Sequence, residues 1–150
     1  MPIPPLNVFG VLPSGCHDCT LQEIAVVYAN NAGRNILWQG FLAFLAWAHA
    51  QPSPTEILID GSFTSDKELP DDVDVIFDLS ACPTDARNHW ITIFMTQAAW
   101  LKTQFRVDFW VYFPGAPNDL RAFFEYVRPE EAIRRGMPPS ERKGLLRIVP

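Results

Sequence analysis

Two short stretches of the chain alternate apolar and polar residues with the period of a β-strand, and together they constrain the fold more than any other feature. They read VDVIFDLS, beginning at Val73, and RVDFWVYF, beginning at Arg106. Because successive side chains of a strand point to opposite faces, one face of each stretch is apolar and the other carries its aspartates. Residues 79–106 are long enough for a helical crossover, which predicts parallel neighbouring strands joined by a right-handed connection.

The other periodic segments predict an α/β fold of the α+β kind, in which helices pack on a small mixed sheet. Thr20 and Glu23 have the spacing of a capping box ahead of a first helix, and NNAG separates that helix from a second one over about 35–49. TEILIDGS is predicted to be a strand that ends at a turn and pairs antiparallel with the strand from Val73. The remaining expected elements are a helix over about 85–104, a short helix in DLRAFFEYV and a last strand in GLLRIVP.

The chain is predicted to form a single domain over residues 1–150. Its composition, 48% hydrophobic and 13% aromatic, supplies enough apolar mass for one core. Residues 1–15 contain several prolines and are expected to be extended and to lie over the surface. Residues 128–143 are charged and interrupted by Gly and Pro, and are expected to form a mobile loop.

Charge and cysteine content restrict the partners and the compartment. A net charge of −5 argues against tight binding of a long nucleic acid, but bound divalent cations would still allow a small anionic ligand. Neither a signal peptide nor a membrane span is predicted. Three cysteines fit a reducing compartment better than a disulfide framework, so a cytoplasmic location is expected.

Several elements are predicted to converge on one rim of the sheet. Asp72 and Asp74 point together away from the apolar face, and Asp108 lies near the start of the parallel strand, so the three carboxylates should be close together. Such a group suits hard divalent cations, Mg²⁺ above all. Gly61 and Ser62, at the turn that ends the preceding strand, would lie at the same rim and offer N–H groups and a hydroxyl to a phosphate.

A Gly-Ser turn, a short loop, an Asp-x-Asp motif opening a strand and a single Asp on a later strand together resemble the DNA polymerase β-type nucleotidyltransferase superfamily. The motif residues are Gly61, Ser62, Asp72, Asp74 and Asp108. Over nearly its full length the chain also looks like a small prokaryotic and viral family of nucleotidyltransferase-like proteins without an assigned function. The blocks that carry this second resemblance are LPSGCHDCTLQEI, LIDGSFTSDKELPDDVDV, VDFWVYFP and RKGLLRIV.

The superfamily resemblance implies a polymerase β-type fold and a two-metal transfer of a nucleoside monophosphate. The donor would be a nucleoside triphosphate, with ATP expected, and the acceptor a hydroxyl of a protein or small molecule. The resemblance implies that Asp72 and Asp74 hold both Mg²⁺ (or Mn²⁺) ions and that Asp108 holds the ion that activates the attacking hydroxyl. Gly61 and Ser62 would cradle the triphosphate. Minimal members often act as antitoxins that modify a toxin, which implies a protein partner and a toxin–antitoxin or phage-defence setting.

The sequence also departs from the superfamily, and the departures keep a second interpretation open. Minimal members commonly place Arg-Gly soon after Gly-Ser, whereas this chain has FTSDK over residues 63–67, in which Lys67 is the residue that would face a phosphate. No appended helical domain for a polynucleotide or tRNA acceptor is expected. The alternative is a non-catalytic nucleotidyltransferase-like binding or regulatory module.

The motif CHDC at residues 16–19 invites a zinc interpretation. A structural zinc site needs about four ligands, and the other candidates are scattered along the chain without ligand spacing. Asp18 and Thr20 are therefore interpreted as helix caps. The scattered candidates are Cys82, His49 and His89.

Two aromatic and several basic residues have both a functional and a structural interpretation. Trp110 and Tyr112 share the acidic strand face and could stack on a base, but packing under a helix is favoured. Lys143 precedes the last predicted strand and could reach a phosphate, although a solvated charge is the default. The same default applies to Lys67 and to three arginines that could bind a partner: Arg34, Arg134 and Arg135.

Overall fold

A mixed five-stranded sheet with the strand order β1–β5–β2–β3–β4 forms the centre of the structure. This computed structural model describes residues 3–116 and 120–150 of the chain. Within them the strands are β1 (Cys16–Cys19), β2 (Glu56–Asp60), β3 (Val73–Asp78), β4 (Val107–Tyr112) and β5 (Leu145–Ile148). The helices are α1 (Leu21–Tyr28), α2 (Ala32–His49), α3 (Thr84–Phe105), α4 (Leu120–Glu125) and α5 (Pro129–Arg135), with a short 3₁₀ turn at Ser62–Thr64.

The pairings predicted for the centre of the sheet are confirmed. β3 runs antiparallel to β2 and parallel to β4, and helix α3 connects β3 with β4. The registers place Asp74 opposite Asp60 of β2 on one side and opposite Asp108 of β4 on the other. β5 pairs antiparallel with β2, and β1 pairs parallel with β5. The prediction of an α+β fold with a small mixed sheet is thereby confirmed.

The apolar faces of β3 and β4 form the main core, as their alternation predicts. Helices α2 and α3 cover this face, and the ring centroid of Phe77 lies 5.7 Å from that of Phe44 and 4.8 Å from that of Trp90. Because α3 returns the chain from the end of β3 to the start of β4, its last turn lies beside the rim where both strands begin. The fully buried residues that β3 and β4 contribute to this face are Val73, Val75, Phe77, Val107 and Phe109.

The opposite face of the sheet carries the aspartates near the strand starts and a smaller apolar cluster. That cluster consists of Leu58, Ile76, Phe124 and Leu145. Trp110 and Tyr112 pack against it, and the Trp110 ring meets that of Phe124 edge-on at 5.7 Å. The interpretation of these two strand residues as packing residues is confirmed.

Helix α1 begins with the predicted capping box. The Thr20 hydroxyl accepts a hydrogen bond of 3.2 Å from the Glu23 main-chain N–H, and the Glu23 carboxylate accepts one of 2.7 Å from the Thr20 N–H. The interpretation of Asp18 as a cap is wrong, because CHDC forms strand β1 and Asp18 accepts hydrogen bonds from Arg147 of the neighbouring strand. Side chains alternate along this strand, so Cys16 is exposed while Cys19 is buried.

The N-terminal segment is only partly as predicted. Residues 3–15 contain no helix or named strand, and residues 1–2 of the predicted segment lie outside the described residues. The segment does not simply lie over the surface, because Leu12 is 1% exposed in the main core and Val11 is buried beside α5. A turn closed by a hydrogen bond from the Gly10 N–H to the Asn7 carbonyl redirects the chain inward.

The charged segment predicted as a loop over 128–143 contains helix α5. Pro129 occupies its first turn, where a missing N–H is tolerated, and Gly136 ends it in the left-handed conformation at φ 71°. Acidic residues in the first turn and arginines in the last turn match the helix dipole. Ala132 and Met137 anchor the helix by packing with Val11. The prediction of a loop is therefore wrong over Pro129–Arg135.

The short helix predicted in DLRAFFEYV is present as α4, and Asp119 lies outside the described residues. The last predicted strand is present as β5. Among the described residues, no helix combines the length and the apolar character that crossing a membrane would require.

Candidate functional site

Three carboxylates meet where β3 and β4 begin. Ligand oxygens of Asp72, Asp74 and Asp108 all lie within 4.8 Å of one another, and the three side chains are half-buried. The parallel register places Asp74 directly beside Asp108, and Asp72 precedes β3 by one residue on the same side. The predicted convergence of these carboxylates is confirmed, and their role as metal ligands stays a prediction.

Asp74 lies at the centre of this negative charge. Burial, followed by the charges of Asp72, Asp108 and Asp60, raises the pKa of Asp74 to about 8, while Lys143 acts in the opposite direction. Ionised Asp74 is therefore poorly stabilised by the protein itself. A divalent cation among the three carboxylates would supply the missing positive charge, so the donor set fits Mg²⁺ or Mn²⁺.

A fourth carboxylate, Asp60, lies beneath the trio and was missed by the sequence reasoning. It ends β2 opposite Asp74, and it is fully buried. Burial raises the pKa of Asp60 to about 6, against the effect of the Lys143 ammonium, whose Nζ lies 3.2 Å from Asp60 Oδ2. The signal in the sequence is an aspartate that ends an apolar strand directly before Gly61. Lys143 is mostly buried, so the default of a solvated charge is wrong for it.

Lys102, in the last turn of α3, is a further charged residue that sequence reasoning missed. Its Nζ lies 3.3 Å from Asp72 Oδ2, and its side chain is 57% exposed. The charge of Asp108 and the hydrogen bond with Asp72 raise the pKa of Lys102 above its ordinary value. The protein thus places an exposed ammonium group of its own beside the three carboxylates.

The Gly-Ser turn lies at the same rim, as predicted. Gly61 has φ +82°, and a Cβ atom there would lie 2.1 Å from Asp74 Oδ2. A side chain at this position would therefore collide with the central carboxylate, which explains why the turn needs glycine. Gly61 and Ser62 line the same cleft as the carboxylates, and Lys67 lines it too, with its Nζ 3.9 Å from Asp71.

The cleft has a volume of about 710 Å³, which is within the range of small-molecule sites. The Gly-Ser turn and the carboxylates form one side of it. The chain that leads into and through α5 contributes aromatic and basic side chains to the lining. They include Phe123, Tyr126, Arg128, Arg134 and Arg135.

The three arginines considered as partner-binding residues have different surroundings. Arg134 is exposed and pairs with Glu131 of its own helix. Arg135 is largely buried, and it donates to Asp66 at 2.7 Å and to the Phe9 carbonyl at 2.9 Å. Arg34 is buried within the protein. The default of a solvated charge is therefore wrong for Arg34 and Arg135.

Fold and cleft together define an α+β protein with a compact cluster of three carboxylates beside a glycine turn. The chain belongs to a family described as a family of unknown function (DUF6932), whose model matches residues 4–149. Comparison with curated proteins and with solved structures gave no match. Family membership thus identifies relatives of the chain without assigning them a reaction.

Proposed function

We propose that the protein is a Mg²⁺-dependent nucleotidyltransferase that transfers a nucleoside monophosphate from a triphosphate to a hydroxyl of a protein or small molecule. ATP is the expected donor. The observation that carries the proposal is the meeting of Asp72, Asp74 and Asp108 beside the Gly61–Ser62 turn in one cleft. The resemblance of this motif set to the polymerase β-type superfamily supplies the reaction type.

The carboxylates would hold Mg²⁺ or Mn²⁺, with Asp72 and Asp74 serving both ions and Asp108 serving one. Bound ions of this kind stabilise the attacking and leaving oxygens of a phosphoryl transfer. The raised pKa of Asp74 supports this assignment, because the site is short of positive charge in the protein alone. Asp60 is buried beneath Asp74 and would act by electrostatics, without reaching the ligand.

The other side chains of the cleft would orient the nucleotide. Gly61 permits close approach of a phosphate to the main chain, and Ser62 offers a hydroxyl and an N–H group. Lys67 adds a positive charge on the same side. Phe123 and Tyr126 are 55% and 41% exposed and line the cleft. Arg142 lies over the Tyr126 ring, 5.3 Å from its centroid, so Phe123 is the ring that would stack on a base.

The transfer is testable with triphosphates labelled at the α-phosphate, Mg²⁺ and a cell lysate as the source of acceptors. We expect label on an acceptor in the presence of Mg²⁺ and none after chelation. Asp74→Asn and Asp108→Asn should abolish labelling, because each removes a ligand of the trio. Asp85→Asn, which removes an exposed carboxylate in the first turn of α3, is the matched control and should label normally. Wild-type labelling no higher than that of Asp74→Asn with every nucleotide would overturn the proposal.

The second candidate is a non-catalytic binding or regulatory module of the same fold. The observation in its favour is the segment FTSDK after the Gly-Ser turn, in which Thr64 and Ser65 are buried and their hydroxyls donate to carbonyls of the same turn. Calorimetry separates the two candidates. Nucleotide binding without turnover supports the module, and absence of nucleotide binding in Mg²⁺ counts against both.

A further inference from the structure

Arg34, in the first turn of α2, is a buried arginine whose partners are main-chain carbonyls. It is 3% exposed. Its guanidinium donates hydrogen bonds to the carbonyls of Phe63 at 2.6 Å, Ser65 at 2.8 Å and Lys67 at 3.2 Å. A further bond of 3.2 Å reaches the Tyr28 carbonyl, and a longer contact of 3.5 Å reaches that of Ser62. Among the residues that the structure describes, no carboxylate lies within ion-pair distance of this guanidinium.

Burying a cation without a carboxylate partner is unfavourable unless its hydrogen-bond donors are satisfied. Here the planar fork of donors is satisfied by several carbonyls at once, and the guanidinium also lies 5.3 Å from the centroid of the Phe63 ring. Burial lowers the pKa of Arg34 from its ordinary value, because removing the charged guanidinium from water is unfavourable. A lysine could not contact the same set of acceptors, because it has one nitrogen.

The carbonyls that Arg34 holds belong almost entirely to one segment. Those of residues 62, 63, 65 and 67 all point toward the guanidinium. Other atoms of the same segment line the cleft, at Ser62, Thr64, Ser65 and Lys67. The conformation of one wall of the cleft is thus tied to a single side chain from α2 that does not line the cleft itself.

We propose that Arg34 is the positioning residue for the nucleotide-binding wall: it fixes the loop over residues 61–67 in the conformation that receives the triphosphate. This inference rests on the proposed function, and it adds a residue that acts only through the loop. The guanidinium of Arg34 donates to main-chain carbonyls of this loop and of Tyr28, and none of these bonds reaches the carboxylates on the metal-binding side. Loss of Arg34 should therefore weaken nucleotide binding and leave metal binding unchanged.

The test uses the full chain with Arg34→Lys and Arg34→Gln, and Arg147→Lys as the matched control. Arg147 is a partly exposed arginine that pairs with Asp18 and Glu56 away from the cleft. We expect Arg34→Lys to weaken binding of Mg²⁺ with a non-hydrolysable ATP analogue about tenfold or more, as the loss of several charge-assisted hydrogen bonds implies. Binding of Mn²⁺ in the absence of nucleotide, measured by electron paramagnetic resonance, should be unchanged. Arg147→Lys should change neither.

A second measurement does not depend on nucleotide binding. Amide hydrogen exchange over residues 61–67 should increase in both Arg34 variants and not in Arg147→Lys. If the wild-type protein binds no nucleotide, the proposed function fails while this exchange experiment still decides the role of Arg34. Nucleotide affinity equal to wild type in Arg34→Lys, or unchanged exchange in the loop, would overturn the inference. Equal losses of nucleotide and Mn²⁺ binding would also overturn it, because they indicate a general structural role.

Discussion

Asp74 has three carboxylates around it, since Asp60, Asp72 and Asp108 all act with burial to raise its pKa. Two lysines offset part of this charge, Lys143 from below and Lys102 from the open side of the cleft. A folded protein keeps such an arrangement only if something else is gained by it, because like charges in a half-buried place destabilise each other. At this scale the cleft is a site whose negative charge is only partly offset by the protein's own lysines.

The raised pKa of Asp74 has a consequence for stability in the absence of metal. The folded protein binds the Asp74 proton more tightly than the unfolded chain does, so ionisation destabilises the fold as the pH rises from about 4 to about 8. In EDTA at pH 8 we expect Asp74→Asn to unfold at a temperature roughly 2–5 °C above wild type. The difference should disappear near pH 4, where wild-type Asp74 is neutral. Thermal unfolding across this pH range is the measurement.

Asp85→Asn is the control for that comparison, because it removes a carboxylate from an exposed position in α3. It should show no pH-dependent gain in unfolding temperature. A constant difference between Asp74→Asn and wild type across the pH range would contradict the assignment of repulsion to Asp74.

Among the elements, the crossover formed by β3, α3 and β4 places the carboxylates, and local patterns in the sequence predict all three. The strands alternate with period two, and the helix between them has the length that a parallel connection needs. Helix α5 shows the opposite case. Pro129 and Gly136 are clear start and stop signals, but the density of charge and the prolines beyond the helix favoured a loop. Packing of Ala132 and Met137 decides between these interpretations, and that packing is not visible in the segment alone.

Helix α1 allows a direct test of a local signal. Thr20→Ala removes the hydroxyl that accepts from the Glu23 N–H, and we expect the free energy of unfolding to fall by about 1 kcal/mol. Chemical denaturation at neutral pH measures this loss. Hydrogen bonding to Thr20 lowers the pKa of Glu23, so the contribution of the capping box should be present at neutral pH and be lost as the pH falls through that lowered value.

Thr96→Ala is the matched substitution within a helix. Thr96 is an exposed residue of α3 whose hydroxyl donates to the Thr92 carbonyl, and alanine at such a position is neutral or mildly stabilising. If both threonine substitutions changed stability by the same amount, the capping box would not be the source of the effect.

At the scale of the whole molecule, the site exists only in the folded chain. It joins the end of β2 to the segment before β5 through Asp60 and Lys143, and the starts of β3 and β4 through the carboxylate trio. A cation that binds this site therefore binds the folded state and not the unfolded one, and must stabilise the fold. The net charge of −5 also favours binding of a cation.

We expect Mg²⁺ and Mn²⁺ to raise the unfolding temperature without any nucleotide. A concentration of one hundred times the dissociation constant adds about 2.7 kcal/mol to the free energy of unfolding. Asp74→Asn should lose most of this effect. In Lys102→Met the rise in unfolding temperature should be larger than in wild type. Cations should bind roughly two- to fivefold more tightly, because a half-exposed ammonium no longer competes with them beside Asp72. Equal shifts in all three proteins would indicate cation binding elsewhere.

The sequence by itself determined the two strands and the crossover helix that place the carboxylates, and it determined the meeting of Asp72, Asp74 and Asp108. These follow from short-range periodicity, because side-chain direction in a strand and the length of a crossover depend only on neighbouring residues. The Gly61–Ser62 turn could be predicted for the same reason.

Only the tertiary structure decided which other charges belong to the site. Asp60 with Lys143, Lys102 with Asp72, and Arg34 with the carbonyls of the loop are contacts between segments far apart in the chain. Whether a charged side chain is solvated or buried depends on what the rest of the fold places over it, and burial in turn determines its energy. No local pattern carries that information.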